Sequence, residues 1–352
     1  MARRRSPNPF ETYVFKNLNK MLNPKLKLNP KIFSADCEQL PIRKGFGQGL
    51  VIVGEQDKNV VALCADLTES TQMHLFKEKF PERFVEIGVA EQNLVTVASG
   101  MSAMGKIPFC SSYAMFSPGR NWEQIRTTIA YNDRSVKIVG SHAGISVGPD
   151  GGTHQALEDI ALMRIMPNMD VISPCDTIEA KKATITLAKT GKPAYLRLVR
   201  EKTPVITTEE TPFEIGKAEI YWMPDIGLAD VGIIVTGGLI HRALVSAKEL
   251  EAENIKIKVM NLSSIKPIDT DAIIALAKEA KAIVTLEEHQ VAGGMGSAVA
   301  EVLAQNYPVP IEFLGIKDKF GQSGTPDELI EHYGIGKDSI KEAVRKVLAR
   351  EI

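Results

Sequence analysis

The chain is poor in the features that would place it outside ordinary globular protein chemistry. Its 352 residues hold four cysteines, Cys37, Cys64, Cys110 and Cys175, and none has CxxC or metal-type spacing. Three of them lie in or beside apolar runs, the pattern of buried free thiols in a reducing compartment. Net charge is also small, -1 at neutral pH, so there is no electrostatic case for nucleic acid as the main partner. No apolar run approaches the roughly 18 residues of a membrane helix and no signal peptide is visible, so a cytoplasmic protein is expected, with no membrane association. HExxH and HxEH arrangements are missing, and "GGTHQ" offers one ligand at short range, so no metal site is read from these residues.

What is present suits two domains: 44% hydrophobic and 24% charged residues over a length ample for two cores. Residues 1–37 form a basic N-terminal extension, with eight Lys or Arg against one acid, Glu11, among the first 31. Phe10, Val14, Leu18 and Leu22 would make one stripe on a short helix there; a solvated tail and a partner-docking arm both fit. From Cys37 onward, β-branched runs such as "NVVALCAD", "SVKIVGSH" and "AYLRLV" alternate with helical stretches such as "WEQIRTTIAYN" and "TIEAKKATITLAKT". That alternation predicts α/β architecture: two doubly wound domains with mostly parallel sheets, residues 38–205 and 230–352, joined by a Pro-broken linker at 206–229.

Ligands collect outside the carboxyl ends of parallel strands. Asp66 and Ser70 follow one strand-like run, His142, Asp150 and His154 follow another, and Arg200 a third. The densest loop, "SHAGISVGPDGGTHQALED", has glycines that let backbone approach a ligand closely. In "GVAEQNLVTVASG", Leu94, Val95, Val97 and Ala98 fall at helical spacing and Gly100 closes the helix, which puts Glu91 in the first turn. A carboxylate there is favoured by the helix dipole; it is equally an acid seated among the apolar Ile87, Val89, Ala90 and Leu94. In the second domain His241, His289 and His332 read as surface or helix-end residues, with no catalytic constellation.

The segments "ADLTES", "FVEIGVAEQN", "SYAMF", "GSHAGISVGPDGGTHQALED", "YLRLVR", "GGMGSAVAE" and "DKFGQSGTPDELIEHYGI" occur in the order found in the second half of transketolases, and from about residue 38 onward the chain resembles that half. The resemblance implies a pyrimidine-binding domain followed by a transketolase C-terminal domain. It implies thiamine diphosphate as cofactor and transfer of a two-carbon ketol unit from a ketose phosphate to an aldose phosphate. The family's cation motif, GDG followed later by Asn, is absent. The chain therefore resembles the C-terminal subunit of a split transketolase. An N-terminal subunit would carry the diphosphate site and the Mg2+ or other divalent cation, in a heterotetramer built on a homodimer of this chain.

By the same resemblance Glu91 is the carboxyl that hydrogen-bonds the pyrimidine N1′ and favours the cofactor's imino tautomer. A buried, proton-sharing carboxyl suits that task. Many transketolases have a basic residue where this chain has Ala90. Tyr113 and Phe116 flank the aminopyrimidine, Asp66 and Leu67 border the cofactor, and a third family aromatic falls at Gly119. Arg43, Ser70, His142 and Arg200 match phosphate-contacting positions, Asp150 a sugar-hydroxyl reader, and His154 the histidine near the donor's C1 hydroxyl and carbonyl. The second domain is expected to serve assembly, with "EEHQVAGGMG" shaping a dimer contact. Three alternatives remain: a subunit resembling 1-deoxy-D-xylulose-5-phosphate synthase, a 2-oxoacid dehydrogenase beta subunit, and a non-catalytic scaffold that keeps the fold.

Overall fold

A computed structural model describes residues 21–350. Its strands in the first half are β1 (Gln39–Pro41), β2 (Val60–Cys64), β3 (Phe84–Glu86), β4 (Ile107–Tyr113), β5 (Lys137–Ser141), β6 (Asp170–Ile172) and β7 (Ala194–Arg197). Those that follow are β8 (Lys202–Pro204), β9 (Glu219–Trp222), β10 (Ala229–Val235), β11 (Ile257–Asn261), β12 (Ser264–Lys266), β13 (Ala280–Gln290) and β14 (Ile311–Ile316). They make a seven-stranded sheet of order β12-β6-β7-β5-β4-β2-β3, a five-stranded sheet of order β14-β13-β10-β11-β9, and the pair β1-β8. Only the edge strands β12 and β9 run antiparallel to their neighbours in the two large sheets. The α/β class with mostly parallel sheets is as the sequence pattern indicates.

β2 shows why the first sheet is central. All five residues of "VVALC" are buried, the mark of a strand covered on both faces. Because side chains alternate, Val60, Ala62 and Cys64 pack on one side with Ile42, Phe46 and Ala183. Val61 and Leu63 pack on the other with Leu94, Ala98 and Ile129. The second of these clusters continues without a break into Ile273, Leu276, Met295 and Val299 of the second α/β unit, so the two units share a core. Each fully buried aliphatic side chain there contributes about 1.5–3 kcal/mol.

The junction is more structured than a linker. Within 206–229, β9 supplies an edge strand of the second sheet, and β12, from the second unit, extends the first. Nor is 21–37 a solvated tail: Leu22, Leu26 and Ile32 are buried, and the Asn23 amide and side chain donate to Tyr221 and Ile220 carbonyls at 3.0 and 2.9 Å. The remainder of the proposed helical stripe, Phe10, Val14 and Leu18, lies outside the described residues. Cys64, Cys110 and Cys175 are buried free thiols and Cys37 is half-buried. Burial pushes the Cys110 thiol up to about 12. Among the described residues no helix is long and apolar enough to cross a membrane.

Candidate active site

The chain steps from β2 to β3 on one side and then to β4 on the other, so a topological switch point lies between β2 and β4. Register lines up the carboxyl ends: Cys64 sits opposite Glu86 and Ser111, Tyr113 opposite Ser141, and Gly140 opposite Arg197. The residues that follow those ends are the sequence-predicted ones. Two of them, Asp66 (φ 57°) and His142 (φ 55°), hold the left-handed backbone conformation that non-glycine residues rarely adopt. Strain of this kind gathers at functional sites.

Glu91 opens the helix Glu91–Ala103, preceded by a tight entry at Gly88 (φ 78°). It is only 4% exposed, yet its carboxylate borders a cleft of about 400 Å³ lined by Val89, Ala90, Gln92, Asn93 and Arg120. The helix start is pinned by Asn121, fully buried, whose Nδ2 donates to the Glu91 carbonyl at 2.8 Å and to Ser117 Oγ at 3.1 Å. Arg120 Nη1 lies 3.3 Å from Glu91 Oε2. The expected apolar seat is half right: Leu94 is fully buried, whereas Val89 is 68% exposed because it lines the open cleft and does not face the core.

Next to this cleft stand the rings. Tyr113 and Phe116 lie near-parallel at 6.1 Å, Tyr113 stacks on His142 at 3.9 Å, and His154 meets Phe116 edge-on at 5.5 Å. Burial, reinforced by the cations Arg43 and Arg200 and by His154, pushes His142 down to about 3. Its ring is therefore neutral at pH 7 and acts as a hydrogen-bonding group, with Nδ1 2.9 Å from Ser141 Oγ. Arg43 donates to the Arg200 carbonyl. Arg200 Nη1 donates to the Val147 carbonyl at 2.7 Å and lies 3.5 Å from Asp150. Two guanidinium groups, Arg43 from the helix Ile42–Gln56 and Arg200 from the segment after β7, thus join one acid and two imidazoles around one aromatic stack. Arg43 Nε is buried without a hydrogen-bond partner, an arrangement that costs about 1–3 kcal/mol unless a ligand satisfies it.

Residues 38–205 match the family of the transketolase pyrimidine-binding domain, and residues 226–340 that of the transketolase C-terminal domain. A chain of Methanocaldococcus jannaschii described as a transketolase C-terminal section is 43% identical over 313 residues, 88% of this chain and 97% of that one. The chain belongs to the transketolase family. The 6-deoxy-6-sulfo-D-fructose transketolase subunit SqwH of Clostridium sp. strain MSTE9 is 36% identical over 91% of this chain and 98% of its own. A solved split gene transketolase, an inactive β4 tetramer, superposes with a TM-score of 0.81 at 42% identity, covering 88% of this chain and 98% of that one. These matches make the chain a C-terminal subunit of the split-transketolase type, in a family dependent on thiamine diphosphate.

For a transketolase, the residues present fit a flat ring whose far edge needs a carboxyl partner: near-parallel aromatics, an adjoining cleft and one buried carboxylate at its wall. Among the described residues, no group of three or more His, Cys, Asp or Glu is placed to hold a metal ion. Asp66, Leu67 and Ser70 occupy the loop after β2 at the same sheet edge. Among the described residues no hydrogen bond or ring contact ties them to the histidine cluster.

Sequence reasoning passed over the residues that hold the site in shape. Glu86, ending β3, accepts from the Asp66 amide at 2.8 Å, Thr68 Oγ1 at 3.0 Å and the Gly88 amide at 3.0 Å, so one carboxylate ties the Asp66–Ser70 loop to the entry of Glu91. The glycine-rich loop is clamped by the second unit. The Ser146 amide donates to Glu288 Oε1, Gln155 Nε2 donates to Gln322 O at 3.0 Å, and any side chain at Gly144 (φ 87°) would collide with Glu288. Glu288 is in turn set by Arg197, whose Nη2 donates to its carbonyl at 2.8 Å while Nε pairs with buried Asp159 at 2.7 Å.

His289 belongs to this interior and not to the surface: it is fully buried, 3.4 Å from the Ala161 amide, and burial pushes it down to about 4. His241 is half-buried, with Nε2 2.9 Å from the Ile32 carbonyl, whereas His332 is exposed at a helix end as read. The segment "EEHQVAGGMG" turns into the helix Met295–Asn306, whose Met295 and Gly296 amides donate to Glu287 at 2.7 and 2.8 Å.

Proposed function

We propose that this chain is the C-terminal subunit of a heteromeric transketolase that moves a two-carbon ketol unit from a ketose phosphate to an aldose phosphate. The observation that carries the reading is the buried Glu91 carboxylate, opening into a cleft beside the Tyr113–Phe116 stack. Bound there, thiamine diphosphate supplies the carbon nucleophile that carries the two-carbon unit.

The chain's own residues do the rest. Glu91 holds a proton against the pyrimidine N1′. Tyr113 and Phe116 fix the plane of the ring, with Asp66 and Leu67 along its border. Arg43, left with an unpartnered Nε, and Arg200 take the substrate phosphate in charge-assisted hydrogen bonds, with Ser70 and neutral His142 completing that end. Asp150 reads an acceptor hydroxyl and His154 the donor's hydroxymethyl ketone end. So many polar readers suit a ketol donor better than pyruvate, which favours transketolase over the deoxyxylulose-phosphate reaction.

The diphosphate and its divalent cation, magnesium in this reading, fall to an N-terminal subunit, in a cytoplasmic heterotetramer with two copies of each chain. Calorimetry tests the proposal. The chain mixed with its N-terminal subunit and Mg2+ binds thiamine diphosphate, and the chain alone binds it weakly or not at all. Micromolar binding by the chain alone, or none by the mixture, overturns it.

A further inference from the structure

Arg120 holds the two surfaces that the proposed function reserves for the pyrimidine ring. Its guanidinium lies 5.2 Å from the centre of the Phe116 ring and its Nη1 3.3 Å from Glu91 Oε2. A guanidinium is flat, conjugated and rich in N–H donors, so it stacks on an aromatic face and meets a carboxylate much as an aminopyrimidine would. The backbone beside it explains why the space is open to it: a side chain at Gly119 would collide with the Met115 carbonyl, so no residue at that position closes the pocket as the family's third aromatic does.

We propose that Arg120 sets cofactor affinity by occupying the pyrimidine subsite of the free chain, and that it leaves when the ring is seated. The proposal rests on the thiamine reading of the site. Departure is easy because the Arg120 side chain is 59% exposed, so its charge stays solvated and its contacts with Glu91 and Phe116 are screened and weak. Both contacts are nevertheless lost whenever the ring enters, and that loss is subtracted from the observed affinity.

The test is the Kd for thiamine diphosphate, measured by calorimetry with Mg2+ on the complex of this chain with its N-terminal subunit. Arg120→Ala tightens binding by about 3- to 30-fold, the combined worth of one ion pair and one cation–π contact whose shared cation lies in solvent. Arg120→Lys falls between wild type and Ala, because it keeps a cation within reach of Glu91 and loses the flat stack on Phe116. An Ala variant that binds equally or more weakly than wild type overturns the proposal, since Arg120 would then be supporting Glu91 in the loaded site. A wild-type complex that binds no thiamine diphosphate overturns the thiamine reading itself, and this inference with it.

Discussion

Arg200→Ala separates the phosphate end of the site from the rest of it. In the free chain the guanidinium donates from Nη1 to the Val147 carbonyl at 2.7 Å and lies 3.5 Å from Asp150 and 3.6 Å from Glu201, and the Val147 bond steadies the loop bearing Asp150 and His154. Losing such a bond costs about 0.5–1.5 kcal/mol whatever the substrate. In the proposed function it also makes a charge-assisted bond to the acceptor phosphate, worth about 1.5–3 kcal/mol. At about 1.36 kcal/mol per factor of ten, the loop term lowers kcat/KM roughly 2- to 12-fold for every acceptor, and the phosphate term lowers it a further 10- to 150-fold for phosphorylated ones. The assay compares kcat/KM for an aldose phosphate and for unphosphorylated glycolaldehyde in the reconstituted complex. An equal fold loss on both acceptors refutes the assignment of Arg200 to the phosphate.

Removing one partner of the buried Arg197–Asp159 pair, by Arg197→Met, leaves a carboxylate without compensation in the interior. It should cost about 3–5 kcal/mol in urea denaturation, with Asp159→Asn in the same chain recovering part; a loss below about 1 kcal/mol contradicts the role of the pair. His289 links folding to pH. Its native value of about 4 lies below the ordinary 6.5, so the unfolded chain takes up a proton that the native ring refuses. Stability from this group is complete above pH 6.5 and drains as pH falls toward 4, by about 2 kcal/mol at pH 5. His289→Gln should flatten that acid limb by the same amount, and an unchanged pH slope contradicts the buried, neutral ring.

The chemistry-bearing loops were legible because they announce themselves twice, as polar residues after β-branched runs and as long motifs. Tyr113, Phe116, His142, Asp150, His154 and Arg200 do converge, since parallel register brings the ends of β4, β5 and β7 to one edge, and Arg43 joins them from the start of the helix Ile42–Gln56. The short edge strands were not legible. β9 and β12 have four and three residues, too few to show a period of two, and β12 joins a sheet made almost wholly by the other half of the chain. His289 was misread because "EEH" at a strand end looks solvated. In the fold, Glu287 receives two helix amides and Glu288 the Ser146 amide, and Arg197 lies beside them. Glu86, Asn121 and Arg120 gave no signal for a related reason: a single carboxylate, amide or guanidinium in a loop acquires meaning only from the backbone groups and rings that tertiary structure places beside it.

The central claim is that Glu91 is an acid placed for chemistry and not merely a helix-start carboxylate. Glu91→Gln keeps the size and the hydrogen-bonding capacity of the side chain and removes its ability to share a proton. Proton exchange at the thiamine C2, followed by NMR after quenching from deuterated water in the reconstituted complex, reads that ability apart from later sugar chemistry. The account predicts a fall of about 10²-fold or more, the scale of a general acid-base contribution, with much less change in sugar affinity. An exchange rate in the Gln variant within about threefold of the parent, small beside that scale, would contradict it and leave Glu91 as a helix start.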